Sequence, residues 1–165
     1  MKTIFILIRG NSGSGKTVLA DNLQKYFGYD NCILLHQDVI RRDILHANDR
    51  PGTPAIGLIK ELVKYGAKHY RVVILEGILR KDVYGEMLVN VIKIFGNNAF
   101  VYYLDVSFSL TVKHNQTKNF PFSIASLKKW WRANDYLEYN DRRLSNGDTK
   151  KFFNQIIQDI TENSL

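Results

Sequence analysis

Four short apolar runs punctuate the chain. Residues 3–8 (TIFILI), 32–35 (CILL), 72–75 (VVIL) and 100–104 (FVYYL) are rich in β-branched and aromatic side chains, and polar residues or glycine bound each run. Runs of this length without polar alternation predict strands buried on both faces of a parallel sheet. Between them, apolar positions recur at helical spacing: Val18, Leu19, Leu23 and Phe27 within 16–27; Ile56, Ile59, Leu62 and Val63 within 55–70; Met87, Leu88, Val91, Ile92 and Phe95 within 84–95. Strands alternating with helices imply right-handed crossovers and an α/β three-layer sandwich.

The last third is more polar. Residues 123–137 read as a helix with Ser123 as N-cap after Pro121. A final helix capped by Asp148 or Thr149 would turn Phe152, Phe153, Ile156, Ile157 and Ile160 inward. A weak strand near 143–145 would bring the parallel sheet to about five strands. The run 48–54 (NDRPGTP) is the clearest loop. No repeat or linker divides the chain, so 1–165 is expected to form a single domain, a length that suits one core burying about 70% of the unfolded surface. No apolar run approaches the roughly 18 residues of a membrane span. Cys32 is the one cysteine, which excludes a disulfide framework and a thiolate cluster, and no leader pattern precedes the first run. A cytoplasmic setting is the expectation.

Directly after the first run comes Gly10, Asn11, Ser12, Gly13, Ser14, Gly15, Lys16, Thr17, a full match to G-x-x-x-x-G-K-[ST], and a helical pattern starting near Val18 follows it. The spacing has a chemical reason. Glycines let successive backbone N–H groups converge on phosphate oxygens, the helix N-terminus adds partial positive charge, the lysine reaches the β and γ phosphates, and the threonine hydroxyl is a Mg²⁺ ligand. A nucleotide-binding loop is predicted, with residues 10–18 holding ATP. Other loop-bearing classes fit less well. The strings 117–119 (TKN) and 149–151 (TKK) lack the aspartate of a guanine-specificity signature, no transporter signature is present, and the chain is too short for the large motor ATPases.

Two carboxylates fall where such a loop needs them. Asp38 follows the second run in HQDVIRR, and Glu76 ends the third in VVILEG. The carboxyl ends of parallel strands line the ligand crevice, so both would face the loop. For Asp38 the alternatives are proton acceptance and capping of the helix that starts at Val39. For Glu76 they are work on a Mg²⁺ ion with Thr17, or a substrate hydroxyl, against purely structural hydrogen bonding.

The blocks LIRGNSGSGKT, LLHQDVIRRDIL, VVILEGIL and VYYLDVS, in that order over about residues 3–135, resemble the nucleoside- and nucleotide-kinase-like branch of P-loop proteins. That branch includes shikimate, adenylylsulfate, chloramphenicol, zeta-toxin and polynucleotide 5′-hydroxyl kinases. The resemblance implies a P-loop kinase fold, ATP and Mg²⁺ as cofactors, and a small-molecule hydroxyl (nucleoside, sugar or antibiotic) as acceptor. It implies that Asp38 takes the acceptor's proton, that Arg41 holds substrate or phosphate charge, and that Thr17, Asp38 and Glu76 surround the metal. It also implies adenine contact around 145–148 and a lid over about 106–134.

That lid gives the charge an address. The chain carries a formal +7, and residues 106–134 hold five lysines and arginines with no carboxylate. By the resemblance, Lys113, Lys118 and Arg132 would neutralise the transferring phosphoryl group, with lysines standing where related sequences carry arginines. A polynucleotide 5′-hydroxyl acceptor is the first alternative, since basic charge also suits a nucleic acid, although none is required; a non-catalytic ATP-binding regulator is the second. Core packing is expected of Trp130 and Trp131. The four histidines show no metal-ligand spacing.

Overall fold

A computed structural model describes residues 2–163. Five parallel strands form the sheet in the order β2-β3-β1-β4-β5: β1 Ile4–Gly10, β2 Cys32–His36, β3 Val72–Gly77, β4 Ala99–Leu104 and β5 Asp141–Leu144. The helices are α1 Lys16–Phe27, α2 Ala55–His69, α3 Lys81–Phe95, α4 Phe108–Gln116, α5 Ile124–Trp130 and α6 Thr149–Asn163. A six-residue π-helical turn, Val39–Ile44, follows β2.

The alternation of β1 decides the two cores. Phe5 and Leu7 join Val73, Leu75 and Val101 beneath α2 and α3, whereas Ile6 and Ile8 join Ile74, Tyr102 and Leu104 beneath α1 and α6. Both faces are covered, which is why the strands read as continuous apolar runs. β5 is the exception. Its sequence is DRRL, only Leu144 is buried, and it pairs on one side with β4 at the sheet edge. Cys32 lies in the second core, and burial pushes its thiol up to about 12.

Three expectations need correcting. The helix expected over 123–137 stops at Trp130, although Ser123 does cap it by accepting from Ser126 N. Beyond it Asn134, Glu138 and Asn140 take left-handed φ angles of 55°, 59° and 59°, and the backbone of Arg132 is bonded to Asn11 in the phosphate loop. Tertiary bonds outweigh the weak helical pattern. Trp130 is not core: it lies edge-on to Phe122 at 5.0 Å and is 39% exposed, while the partly buried Trp131 packs edge-on to Phe108 at 5.2 Å. α3 starts at Lys81, three residues before the first expected position, with Asp82 in its first turn at the dipole's positive end.

Candidate nucleotide site

The strand order departs from chain order around β1, and the loop 10–17 leaves the carboxyl end of that central strand, the place where open α/β sheets bind ligands. Its glycines are required by contact as well as conformation. Gly10 has φ 152°, and a Cβ there would lie 2.9 Å from Leu104 O; Gly13 has φ 79°, and a Cβ there would lie 2.7 Å from Thr111 O of α4. Lys16 is buried, with Nζ donating to Asn11 O at 2.8 Å and Ser14 Oγ at 3.3 Å. Burial lowers its pKa, while the charges of Glu76 and Asp38 act in the opposite sense. Ser12 is half-buried, and Val18 lies 57% exposed on the outer side of α1.

Thr17 Oγ1 donates to Glu76 Oε1 at 3.4 Å. The same oxygen accepts from His36 Nδ1 at 2.7 Å, and the other ring nitrogen of His36 lies 3.5 Å from Asp21. The Glu76 hydrogen bond, ahead of the cost of burial, raises the His36 pKa. Glu76 is buried at the end of β3 and held by both neighbours. Among the described residues no group of three or more His, Cys, Asp or Glu is arranged to hold a metal by itself. A hydroxyl and one carboxylate beside a phosphate loop do suit Mg²⁺, which takes few protein oxygens and completes its shell with phosphates and water.

Asp38 makes no capping hydrogen bond to the turn that follows it. Its carboxylate is half exposed and faces Arg41 Nη2 at 3.3 Å and Arg42 Nε at 3.8 Å. Arg41 is mostly buried. It donates to Ala47 O at 3.0 Å and lies 3.8 Å from Asp49, whose carboxylate accepts from Tyr84 OH at 2.7 Å. Arg41 therefore fastens the 46–49 loop while steadying Asp38.

α4 roofs the loop directly, with His114 Nδ1 donating to Gly13 O at 2.8 Å. Lys113 is exposed on α4. The exposed Lys118 lies 5.3 Å over the Phe122 ring, and its charge contributes to lowering the Lys16 pKa. Arg132 is exposed too, and its charge is felt at Asp82, the carboxylate that Arg80 already holds below the usual range. Of the predicted cations, Lys118 thus acts on the phosphate loop and Arg132 on the start of α3. A cavity of about 200 Å³ opens between Ser14, Gly15, Leu110 and His114 on one side and Gly147, Asp148, Thr149 and Phe152 on the other. The 145–148 segment expected near the adenine contributes two of these lining residues.

The sequence pattern missed one contact, that of Asn11, and one residue, Arg9. Asn11 stands at a variable position of the loop pattern but binds the Arg132 backbone through both amide atoms. Arg9 interrupts an apolar strand, a visible signal, and is fully buried.

Residues 2–107 match the family model described as Zeta toxin. The chain belongs to the zeta toxin family. No curated protein matches it. Solved structures that resemble this family member include a gluconokinase from Sinorhizobium meliloti 1021 (TM-score 0.68, 10% identity, 96% of this chain and 92% of that one). The APS kinase CysC of Mycobacterium tuberculosis, in complex with AMPPNP and APS, has TM-score 0.68 and 13% identity, covering 97% of this chain and 98% of that one. The shikimate kinase of Acinetobacter baumannii, in complex with shikimate, has TM-score 0.63 and 15% identity over 99% and 96% of the two chains. At these identities the likeness is one of fold. Family and fold together support a nucleotide-dependent kinase of the P-loop type. No helix among the described residues is long and apolar enough to cross a membrane.

Proposed function

We propose that the chain transfers the γ-phosphoryl group of ATP to a hydroxyl of a small molecule. The observation that carries this reading is the half-exposed Asp38 carboxylate, steadied by Arg41, at the end of β2, on the crevice side of the sheet where Lys16, Thr17 and Glu76 gather.

Phosphoryl transfer leaves little covalent work to the protein, so positioning and electrostatics dominate. The N–H groups of 11–17 bind phosphate oxygens. Lys16, whose Nζ rests on Asn11 O and Ser14 Oγ, exchanges those neutral acceptors for anionic ones. Thr17 and Glu76 would hold Mg²⁺, which would offset phosphate charge. Asp38 accepts the proton of the acceptor hydroxyl as its oxygen bonds to phosphorus and the bond to the ADP oxygen breaks. Lys113, Lys118 and Arg132 supply lid cations, and α4 helps exclude water. The buried free thiol of Cys32 suits a reducing, cytoplasmic setting.

ATP consumption and thermal shift across nucleosides, sugars, antibiotics and oligonucleotides test the reading. Phosphate appearing on a small alcohol is the expected result, and ATP binding without transfer to any hydroxyl compound would mark a regulator. The exposed Lys113, Lys118, Lys128, Lys129 and Arg132 favour one second reading, a polynucleotide 5′-hydroxyl acceptor. Steep weakening of oligonucleotide binding with salt would select it.

A further inference from the structure

We propose that Arg9 and Asp135 are a positioning pair that fixes two loops, residues 78–80 and 131–136, to the strand carrying the phosphate loop. The consequence for turnover rests on the kinase reading above; the structural coupling does not.

Arg9 occupies the third position of one face of β1, after Phe5 and Leu7, and its side chain is fully buried. A guanidinium so placed must be met by acceptors. Nε donates to Leu79 O at 3.0 Å, Nη1 to Asp135 O at 2.8 Å and Nη2 to Asp135 Oδ2 at 2.9 Å, and the Tyr103 ring lies 5.7 Å away. Two of these acceptors are backbone carbonyls, so the planar fork dictates how two loops are turned. Lysine, a point charge, would not.

Each loop shows the effect. Leu79 is buried with φ 45°, an uncommon conformation for a residue other than glycine, and its carbonyl is the one that Arg9 binds. It sits two residues beyond Gly77 and just before Arg80, which reaches Asp49 O in the loop that Arg41 fastens. Asp135 Oδ2 also accepts from Lys81 N, which joins the same carboxylate to the start of α3. Three residues earlier, the Arg132 backbone is tied to Asn11. The end of the basic segment and the loop after Glu76 are thereby referenced to one strand, and that strand runs straight into Gly10.

Fold stability alone does not call for this pair. Buried ion pairs can often be replaced by apolar residues without loss, so what distinguishes this pair is its geometry, three directed hydrogen bonds onto two loops. Asp135→Asn preserves shape and the backbone acceptor, and Arg9→Lys preserves charge without the fork. The test follows hydrogen exchange in the full chain, together with binding of a fluorescent ATP analogue and initial rates with the best acceptor.

The expected result is faster exchange at 78–81 and 131–136, with β3 and β4 amides and analogue binding unchanged. kcat/KM for the acceptor should fall about tenfold to a hundredfold, since small misplacements carry such factors, while KM for ATP holds. Unchanged exchange in both loops would overturn the proposal, as would equal loss of ATP and acceptor parameters in step with falling Tm. Should wild type phosphorylate no acceptor, the kinase reading fails while the exchange result still decides the coupling. Should Arg9→Lys not fold, Asp135→Asn decides alone.

Discussion

The side chain of Asn11 reads the backbone of Arg132 as a neighbouring strand would: Nδ2 donates to Arg132 O at 2.7 Å and Oδ1 accepts from Arg132 N at 2.9 Å. One amide thus joins the phosphate loop to the end of the basic segment, 121 residues further along. Asn11→Ala should strand both backbone groups and cost about 1–3 kcal/mol where they stay buried. Urea unfolding measures the loss. Asn11→Asp keeps an acceptor for Arg132 N but has no donor for Arg132 O, and should not restore stability.

Gly13→Ala should do more harm than its conformation explains. Gly13 and Gly52 share φ 79°, but a Cβ at 52 meets nothing within 4 Å, whereas one at 13 meets Thr111 O at 2.7 Å. Each alanine carries about 1–2 kcal/mol of left-handed strain. Only Gly13→Ala should also displace α4 and abolish the thermal shift induced by ATP. Equal behaviour of the two variants would show that α4 does not depend on this contact.

Asp38→Asn should retain ATP binding and lose about a hundredfold to ten-thousandfold in turnover, the range of general-base catalysis. Initial rates alongside analogue titration separate the two effects. Turnover that survives intact would remove Asp38 from the chemistry.

Thr17→Val and Glu76→Gln should each raise the Mg²⁺ concentration needed for nucleotide stabilisation by about tenfold or more, as loss of a ligand or its support commonly does. A Mg²⁺ titration read by thermal shift gives the midpoint. An unmoved midpoint would leave the Thr17–Glu76 contact structural.

His36 gives metal-free protein a pH dependence. Its folded-state pKa is raised above the ordinary 6.5, chiefly by the hydrogen bond to Glu76. The folded form binds the proton more tightly, so this stabilisation is complete below about 6.5 and fades as pH rises through the folded value. Tm measured with chelator present should decline over that window in wild type. The decline should be absent in His36→Gln.

The sequence by itself determined the alternation of apolar runs and helical faces, the parallel α/β class and the phosphate loop, because each rests on local periodicity or on chemistry confined to eight consecutive residues. The places of Asp38 just beyond β2 and Glu76 near the end of β3 followed from the strand pattern, since the carboxyl ends of parallel strands line one crevice. The tertiary structure alone decided the rest. The strand expected near 143–145 runs over Asp141–Leu144, bounds that the sequence DRRL blurs because an edge strand needs little burial. α5 ends at Trp130 because Asn11 captures Arg132, a bond between residues that local propensity cannot connect. That Arg41 reaches Ala47 and Asp49 depended on where the 46–49 loop came to lie. Arg9 interrupts an apolar strand, and only the fold brings Leu79 and Asp135 to it as acceptors. Buried polar groups are satisfied by partners distant in the chain, and only the folded backbone brings those partners together.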